Sequence, residues 1–322
     1  MPFYNARIIP SSDIPNAPIR EHCSVDPSQI ISIGRDKGQQ VRVGRYAQDG
    51  VNLADFALYT VIDLHNDGPD IVFLGFRYPE STTHDLRDRL GLSSADAFAG
   101  KIISQVPHPT YTDEEAKENS EFVERLIDNG AHSGLIAIAP HGGNIEPITD
   151  VQAERVSFQL AGKCVSTWVC KGFKKGGGAF DRWHITSTDI SEESFPKLKT
   201  VIGRHFEYAV AFHGWDEDSI CIGGSAPPAL KQEIKTAVLR AVSDSICVAT
   251  SEEGKCPGAF NGDDPRNIVN RLGANGIQLE QSADARARFG IQIADAVADV
   301  LRPKIIGAGQ RARRHSKRLL RR

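Results

Sequence analysis

The chain has 322 residues, 40% of them apolar and 25% charged, with a formal net charge of −3. A chain of this size buries enough apolar surface to fold without a metal or disulfide staple, as one large domain or two ordinary ones. No apolar run approaches the roughly 18 residues of a membrane span, and no basic segment followed by an apolar run opens the chain. The expected location is cytoplasmic, with secretion by another route left open.

Residues 1–108 read as a β-rich domain. "QQVRVGRY", "ADFALYTVIDL" and "DIVFLGF" are short, rich in β-formers and separated by turn residues such as "NDGPD". A small barrel or sandwich is expected, with one helical turn in "CSVDPSQIISIG". The pattern changes at "QVPHPTYTDEEAKENSEFVERLIDNG". Thr112 and Glu115 fit a capping box. Phe122, Val123, Leu126 and Ile127 then suggest a helical stripe ending near Gly130.

Strands and helices alternate from there. Strands are predicted at "GLIAIA", "VSTWVC", "RWHITST", "EYAVAFHG", "SICIGG" and "GIQLEQS". Helices are predicted from Thr149 or Asp150 to Leu160, and over "SFPKLKTVIG", "PALKQEIKTAVLRAVSD" and "ARFGIQIADAVADVLRP". The fold class expected for residues 109–306 is therefore α/β, a mostly parallel or mixed sheet flanked by helices. The remainder, 307–322, is a basic tail ending in "RARRHSKRLLRR". It reads either as a solvated, disordered segment or as a place for a polyanion, and it is the only part through which nucleic acid could bind.

Six cysteines are scattered as Cys23, Cys164, Cys170, Cys221, Cys247 and Cys256 without a CxxC pair, so a cysteine-rich zinc site is not expected. Cys164 and Cys170 flank one predicted strand, too far apart to bond each other. Reduced thiols are expected, with Cys221 and Cys247 as core fillers.

The chemistry concentrates where predicted strands end. In open α/β sheets ligands sit beyond the carboxyl ends of the strands. His141 follows "IAIAP", and His213 follows "YAVAF". Glu146 stands five residues after His141, which is wrong for one helical face but works if Gly142 and Gly143 fold the chain back. Two imidazoles and one carboxylate make a catalytic Zn2+ set with one position left for water. Glu280, in the apolar strand "GIQLEQS", is either an outward-facing strand residue or a carboxylate able to take a proton from that water. Asn270 and Arg271 in "NIVNRLG" are candidates for gripping a substrate carboxylate, against a helix-end role for the arginine. Lys174 and Lys175 lie in the basic, Gly-rich loop "KGFKKGGGAF", and His184 either lines the cleft or bonds to backbone. There is no GxSxG, HExxH, Walker or GxGxxG signature.

The ordered set "PHGGNIE", "WHITSTDI", "AFHG" and "NIVNRLGANGIQLEQS" resembles the phage-type poly-γ-glutamate hydrolases over roughly residues 112–305. The resemblance implies a zinc peptidase with a carboxypeptidase-like fold. His141, Glu146 and His213 match that family's zinc ligands, and Glu280 matches its general base. It also implies an anionic polymer or peptide as substrate. Three functions stay open on these grounds. They are cleavage of γ-glutamyl linkages, cleavage of another amide such as a cell-wall peptide or an acylated amino acid, and polyanion binding by an inactive relative.

Overall fold

The computed structural model describes residues 2–11, 20–47, 50, 53–75, 89–91, 96–128, 130, 132–161, 164–242 and 244–319, with the side chains of 54, 259 and 306–319 outside the description. The chain divides into two compact units. One comprises Met1–Val123 with Gly172–Pro196, the other Glu124–Lys171 with Lys197–Arg322. This discontinuous division differs from the single boundary at 108/109 suggested by the change of sequence pattern.

The first unit contains a closed six-stranded barrel. Its strands are β1 (Phe3–Ser11), β2 (His22–Val25), β3 (Gln40–Tyr46), β4 (Leu53–Leu64), β5 (Ile71–Gly75) and β6 (Phe98–Ile103), in the order β1-β5-β2-β4-β3-β6. β1 runs parallel to β5 and β2 to β4, while β1–β6, β2–β5, β3–β4 and β3–β6 are antiparallel. Closure removes the unpaired strand edges that an open sheet of this length would present. Ile8, Val41, Val43, Tyr59, Val61, Val72, Leu74 and Ile102 fill the interior. The helical turn expected in "CSVDPSQIISIG" is α1 (Pro27–Ser32), capped by the Asp26 side chain.

The capping box forms as expected. Thr112 Oγ accepts from Glu115 N at 3.1 Å, and Glu115 Oε2 accepts from Thr112 N at 2.8 Å. The helix it starts, α2 (Asp113–Asn119), stops where Ser120 turns left-handed at φ 56°. The expected stripe from Phe122 to Ile127 is strand β7 instead. Two apolar pairs within six residues fit either period, and tertiary burial decides between them. Phe122, Val123 and Glu124 are buried in succession, and Ile127, which a helix would place beneath Val123, is exposed.

A seven-stranded sheet, ordered β12-β11-β13-β10-β8-β9-β7, organises the rest. Its other strands are β8 (Leu135–Gly143), β9 (Val165–Gly172), β10 (Phe206–Gly214), β11 (Ser219–Gly223), β12 (Cys247–Thr250) and β13 (Gly273–Gln281). β10 runs parallel to β8 and to β13, and β11 runs antiparallel to β13, so the sheet is mixed. β12 is a strand that sequence patterning had not marked.

Three helices pack on the sheet: α3 (Thr149–Gln159), α6 (Pro228–Ala241) and α8 (Ala283–Leu319). Ala153, Val156, Ile234, Val238, Ile293, Val297 and Leu301 interlock with Leu135, Ala137, Val210, Phe212, Ile277 and Leu279 of the strands. α3 begins at Thr149 as expected, but no side chain caps it. Thr149 Oγ donates to Glu146 O instead, and Asp150 pairs with Lys171.

Two other predicted elements differ. "RWHITST" is not a strand: α4 (Ala179–Trp183) ends there, and His184 continues in extended conformation. Glu21 holds this segment by accepting from Thr186 N at 2.9 Å and Thr186 Oγ at 3.1 Å, so the Thr186 amide is satisfied without a ladder partner. "SFPKLKTVIG" forms only the short helix α5 (Pro196–Lys199) and the start of a 3-10 turn at Ile202–Arg204, while a second 3-10 turn, Glu192–Ser194, ends at its first residue. The Glu124 carboxylate accepts from Lys197 N and Leu198 N, satisfying amides at the start of α5.

The cysteines also depart from expectation. Cys221 and Cys256 form a disulfide with Cα atoms 5.9 Å apart. Cys247 is exposed, not a core filler. No helix among the described residues is long and apolar enough to cross a membrane. The backbone of α8 is helical to Leu319 rather than disordered, although the side chains that give the tail its charge lie outside the described residues.

Candidate active site

"LIAIAPHGG" is buried almost throughout, as expected of a central strand covered on both faces. The turn after it depends on both glycines. A Cβ at Gly142 would lie 2.5 Å from Asp150 Cβ and 2.7 Å from the Cys170 carbonyl oxygen. Gly143 takes φ 70°, a conformation costly for a residue with a side chain. Glu146 N then donates to His141 O at 2.8 Å, closing the loop and carrying the Glu146 carboxylate back over the strand end.

His141 Nδ1 lies 3.0 Å from Glu146 Oε1. On the adjacent parallel strand β10, His213 Nδ1 lies 3.2 Å from His141 Nδ1 and 3.5 Å from Glu146 Oε2. Gly214 N donates to Glu146 Oε2 at 2.9 Å, fixing the carboxylate's second oxygen. Glu280 on β13 is the register neighbour of His213. The two imidazoles are 3% exposed, Glu146 5% and Glu280 6%. Four of the residues chosen from the sequence thus stand on β8 and the turn after it, β10 and β13, which are consecutive in the sheet.

The two carboxyls are driven in opposite directions. Burial would raise the pKa of Glu146, but the charges and hydrogen bonds of His141 and His213 hold it well below the usual range. Glu280 is pushed well above that range, first by burial and then by the charge of Glu146. The Arg286 cation and the Gln278 amide, which donates to Glu280 Oε1 at 2.8 Å, oppose the rise incompletely. Buried carboxyls separated in this way are suited to different roles, one a permanent anion and the other a proton carrier.

The other candidates are distributed differently. Asn270 Oδ1 accepts from Ser225 N at 3.1 Å, and its Nδ2 donates to the Gly262 and Asp264 carbonyls at 2.7 and 2.8 Å, so its amide holds a loop. Arg271 is half-buried near the end of α7 (Ile268–Leu272). His184, Lys174 and Lys175 belong to the first unit. There His184 Nδ1 lies 2.6 Å from Glu21 Oε1 and its ring stacks on Phe180, Lys174 pairs with Asp55 at 3.6 Å, and Lys175 N donates to Ser120 Oγ at 2.9 Å.

Sequence reasoning missed Arg286 and the amides of Gln152 and Gln281. Gln152 Nε2 donates to Gln281 Oε1 at 2.7 Å, and Gln281 Nε2 donates back to Gln152 Oε1 at 3.0 Å and to His213 O at 3.3 Å. One signal for Arg286 was available: a cation one turn into a helix opposes the positive end of the dipole, and so calls for anions nearby.

Two imidazoles and a carboxylate, gathered at the carboxyl ends of parallel strands beside a second carboxyl of raised pKa, have the composition of a hydrolytic metal centre. The family model described as poly-gamma-glutamate hydrolase matches residues 110–295, and the chain belongs to that family of hydrolases. Among solved structures it is similar to a bacteriophage poly-gamma-glutamate hydrolase, at 23% identity over 62% of this chain and 100% of that one, with a TM-score of 0.46. A zinc-free form of YNDL matches at 22% identity over 59% and 95% of the two chains, with a TM-score of 0.44. A metallo-carboxypeptidase from Burkholderia cenocepacia matches at 12% identity over 66% and 76%, with a TM-score of 0.38. No curated protein sequence matches the chain.

Proposed function

We propose that the protein is a zinc-dependent hydrolase of γ-glutamyl amide bonds in poly-γ-glutamate. The approach of His141, Glu146 and His213 to within 3.0–3.5 Å of one another carries this reading. Two neutral imidazole nitrogens and a carboxylate oxygen fit zinc and leave one coordination position open. Zinc, when bound, supplies Lewis-acid polarisation of the scissile carbonyl and acidifies water. Glu146 serves as the anionic ligand. Glu280 takes the proton of the attacking water and delivers it to the leaving nitrogen, the role a carboxyl of raised pKa suits. Arg271 is assigned to a substrate carboxylate, which a guanidinium meets with two parallel hydrogen bonds. Residues 109–306 are taken as the catalytic part, with the β-rich residues 1–108 and the basic 307–322 outside it.

The test combines elemental analysis with size-exclusion assay of poly-γ-glutamate. Zinc near one equivalent, loss of depolymerisation on chelation and recovery on adding zinc are expected, as is inactivity of His141→Ala and His213→Ala. Undiminished hydrolysis by fully chelated protein would refute the metal assignment. Cleavage of a cell-wall γ-linked peptide or an N-acyl amino acid, but not of the polymer, would move the substrate and keep the chemistry.

A further inference from the structure

The geometry points to Arg286 as the positioning residue that fixes the ligand Glu146, the ligand His213 and the base Glu280 relative to one another. The inference rests on the metal reading of His141, Glu146 and His213. Arg286 lies in the first turns of α8 and is 7% exposed. Its Nε donates to Pro147 O at 3.0 Å, one residue after Glu146. Its Nη1 donates to Gln281 O at 2.7 Å, one residue after Glu280. The same group fills the space over Gly214, one residue after His213. A Cβ there would lie 1.5 Å from Nη1, 2.2 Å from Cζ and 2.8 Å from Nη2. A single planar cation thus touches the residue following each of three reactive side chains.

Burying a cation is costly, and two backbone carbonyls acquired from opposite ends of the site show where this one is used. The planar fork matters, because a lysine ammonium offers a single point and cannot span Pro147 and Gln281 in fixed directions. The glycine at 214 is required by this arrangement: its φ is not left-handed, and the three atoms nearest its absent Cβ all belong to the Arg286 guanidinium. Gly214 N also holds Glu146 Oε2, so displacing the guanidinium disturbs a ligand directly. Gln281, whose carbonyl Arg286 takes, sends its side chain to the His213 carbonyl, giving a second tie between the same two strands.

The experiment compares wild type with Arg286→Lys, Arg286→Ala, Gly214→Ala and the double variant Gly214→Ala/Arg286→Ala. Zinc affinity is measured by competition with a chromophoric chelator, kcat and KM on poly-γ-glutamate, and Tm on chelated protein. Outer-shell partners of metal ligands typically govern 10–100-fold in affinity or activity. Each single variant should therefore bind zinc roughly 10–100-fold more weakly and lose a similar factor in kcat, with KM little changed. Gly214→Ala should add almost nothing in the Arg286→Ala background, because the group it displaces is already gone. Methylguanidinium should restore part of the Arg286→Ala activity. If Arg286→Ala fails to fold, Arg286→Lys and Gly214→Ala carry the test. Unchanged zinc affinity and kcat in those two, fully additive effects in the double variant, or wild-type behaviour of Arg286→Lys would overturn the positioning role while leaving the function standing. Wild type that binds no divalent ion would instead remove the metal reading, and the inference with it.

Discussion

Replacing Glu280 by Gln separates what this carboxyl does for catalysis from what it does to stability. The side chain is 6% exposed and its Oε1 accepts from Gln278 Nε2, a bond that a glutamine oxygen can keep. The substitution therefore removes a charge and a proton acceptor with little change of shape. General-base catalysis contributes typically 10²–10⁴-fold, so kcat should fall by about that factor, equivalent to about 3–5 kcal/mol of barrier. Stability should move the other way. Burial and the charge of Glu146 raise the Glu280 pKa, so ionising it near neutral pH opposes folding. A carboxyl whose folded pKa lies above its unfolded value gives its stabilisation in full below the unfolded value, near 4.3, and loses it as pH rises through the folded one. The glutamine variant has no such loss. Urea melts of chelated wild type and variant between pH 4 and 8 should diverge with rising pH, the variant being the more stable at the alkaline end. Zinc-loaded variant retaining more than about a tenth of wild-type kcat would refute the assignment of the base. A chelated variant less stable than wild type at pH 8 would refute the electrostatic argument.

Other consequences can be measured as directly. Asp128 accepts from Arg204 at 2.6 and 2.8 Å and from Ser166 at 2.6 Å, and the Arg204 bonds, outweighing burial, hold its pKa far below the usual range. Its stabilisation is present above about pH 4 and lost as pH falls further, so Asp128→Asn should cost about 1–3 kcal/mol at pH 7 and much less at pH 2, by urea midpoints. The Cys221–Cys256 disulfide closes a separation of 35 residues. Cys221→Ser should cost about 3–4 kcal/mol relative to the oxidised protein and nothing once both are reduced. Gly142→Ala should cost about 1–3 kcal/mol and weaken zinc binding, because one of the atoms its Cβ meets is the Cys170 backbone carbonyl and the end of β8 must move with His141; differential scanning calorimetry and zinc titration would show both effects.

What the sequence disclosed was decided by local chemistry. His141 and His213 close the apolar runs "LIAIAP" and "AVAF", where a polar residue is conspicuous, whereas Glu280 stands in "GIQLEQ", which alternates apolar and polar residues. The fold-back of Glu146 was legible because its two glycines are adjacent in the chain. What stayed hidden depended on distant partners. Phe122–Ile127 carries a pattern either period accepts, and only the sheet made it a strand. Cys256 gives no sign of Cys221, because the path of a loop across 35 residues sets the distance between them.

Arg286 is the most instructive omission, because its acceptors are backbone carbonyls. One of them is 139 residues away, at Pro147, and any residue type there would offer the same oxygen. Side-chain patterning cannot reveal such a bond, but it can reveal the space the bond requires. Gly214 follows His213 in "AFHG", a position where a β-branched residue would extend the strand well. The glycine there is explained by the guanidinium lying against its α-carbon, not by backbone strain. A glycine ending a catalytic strand without a left-handed φ is thus a signal for an incoming side chain. In this chain that side chain is the group joining the three strand ends on which the proposed chemistry depends.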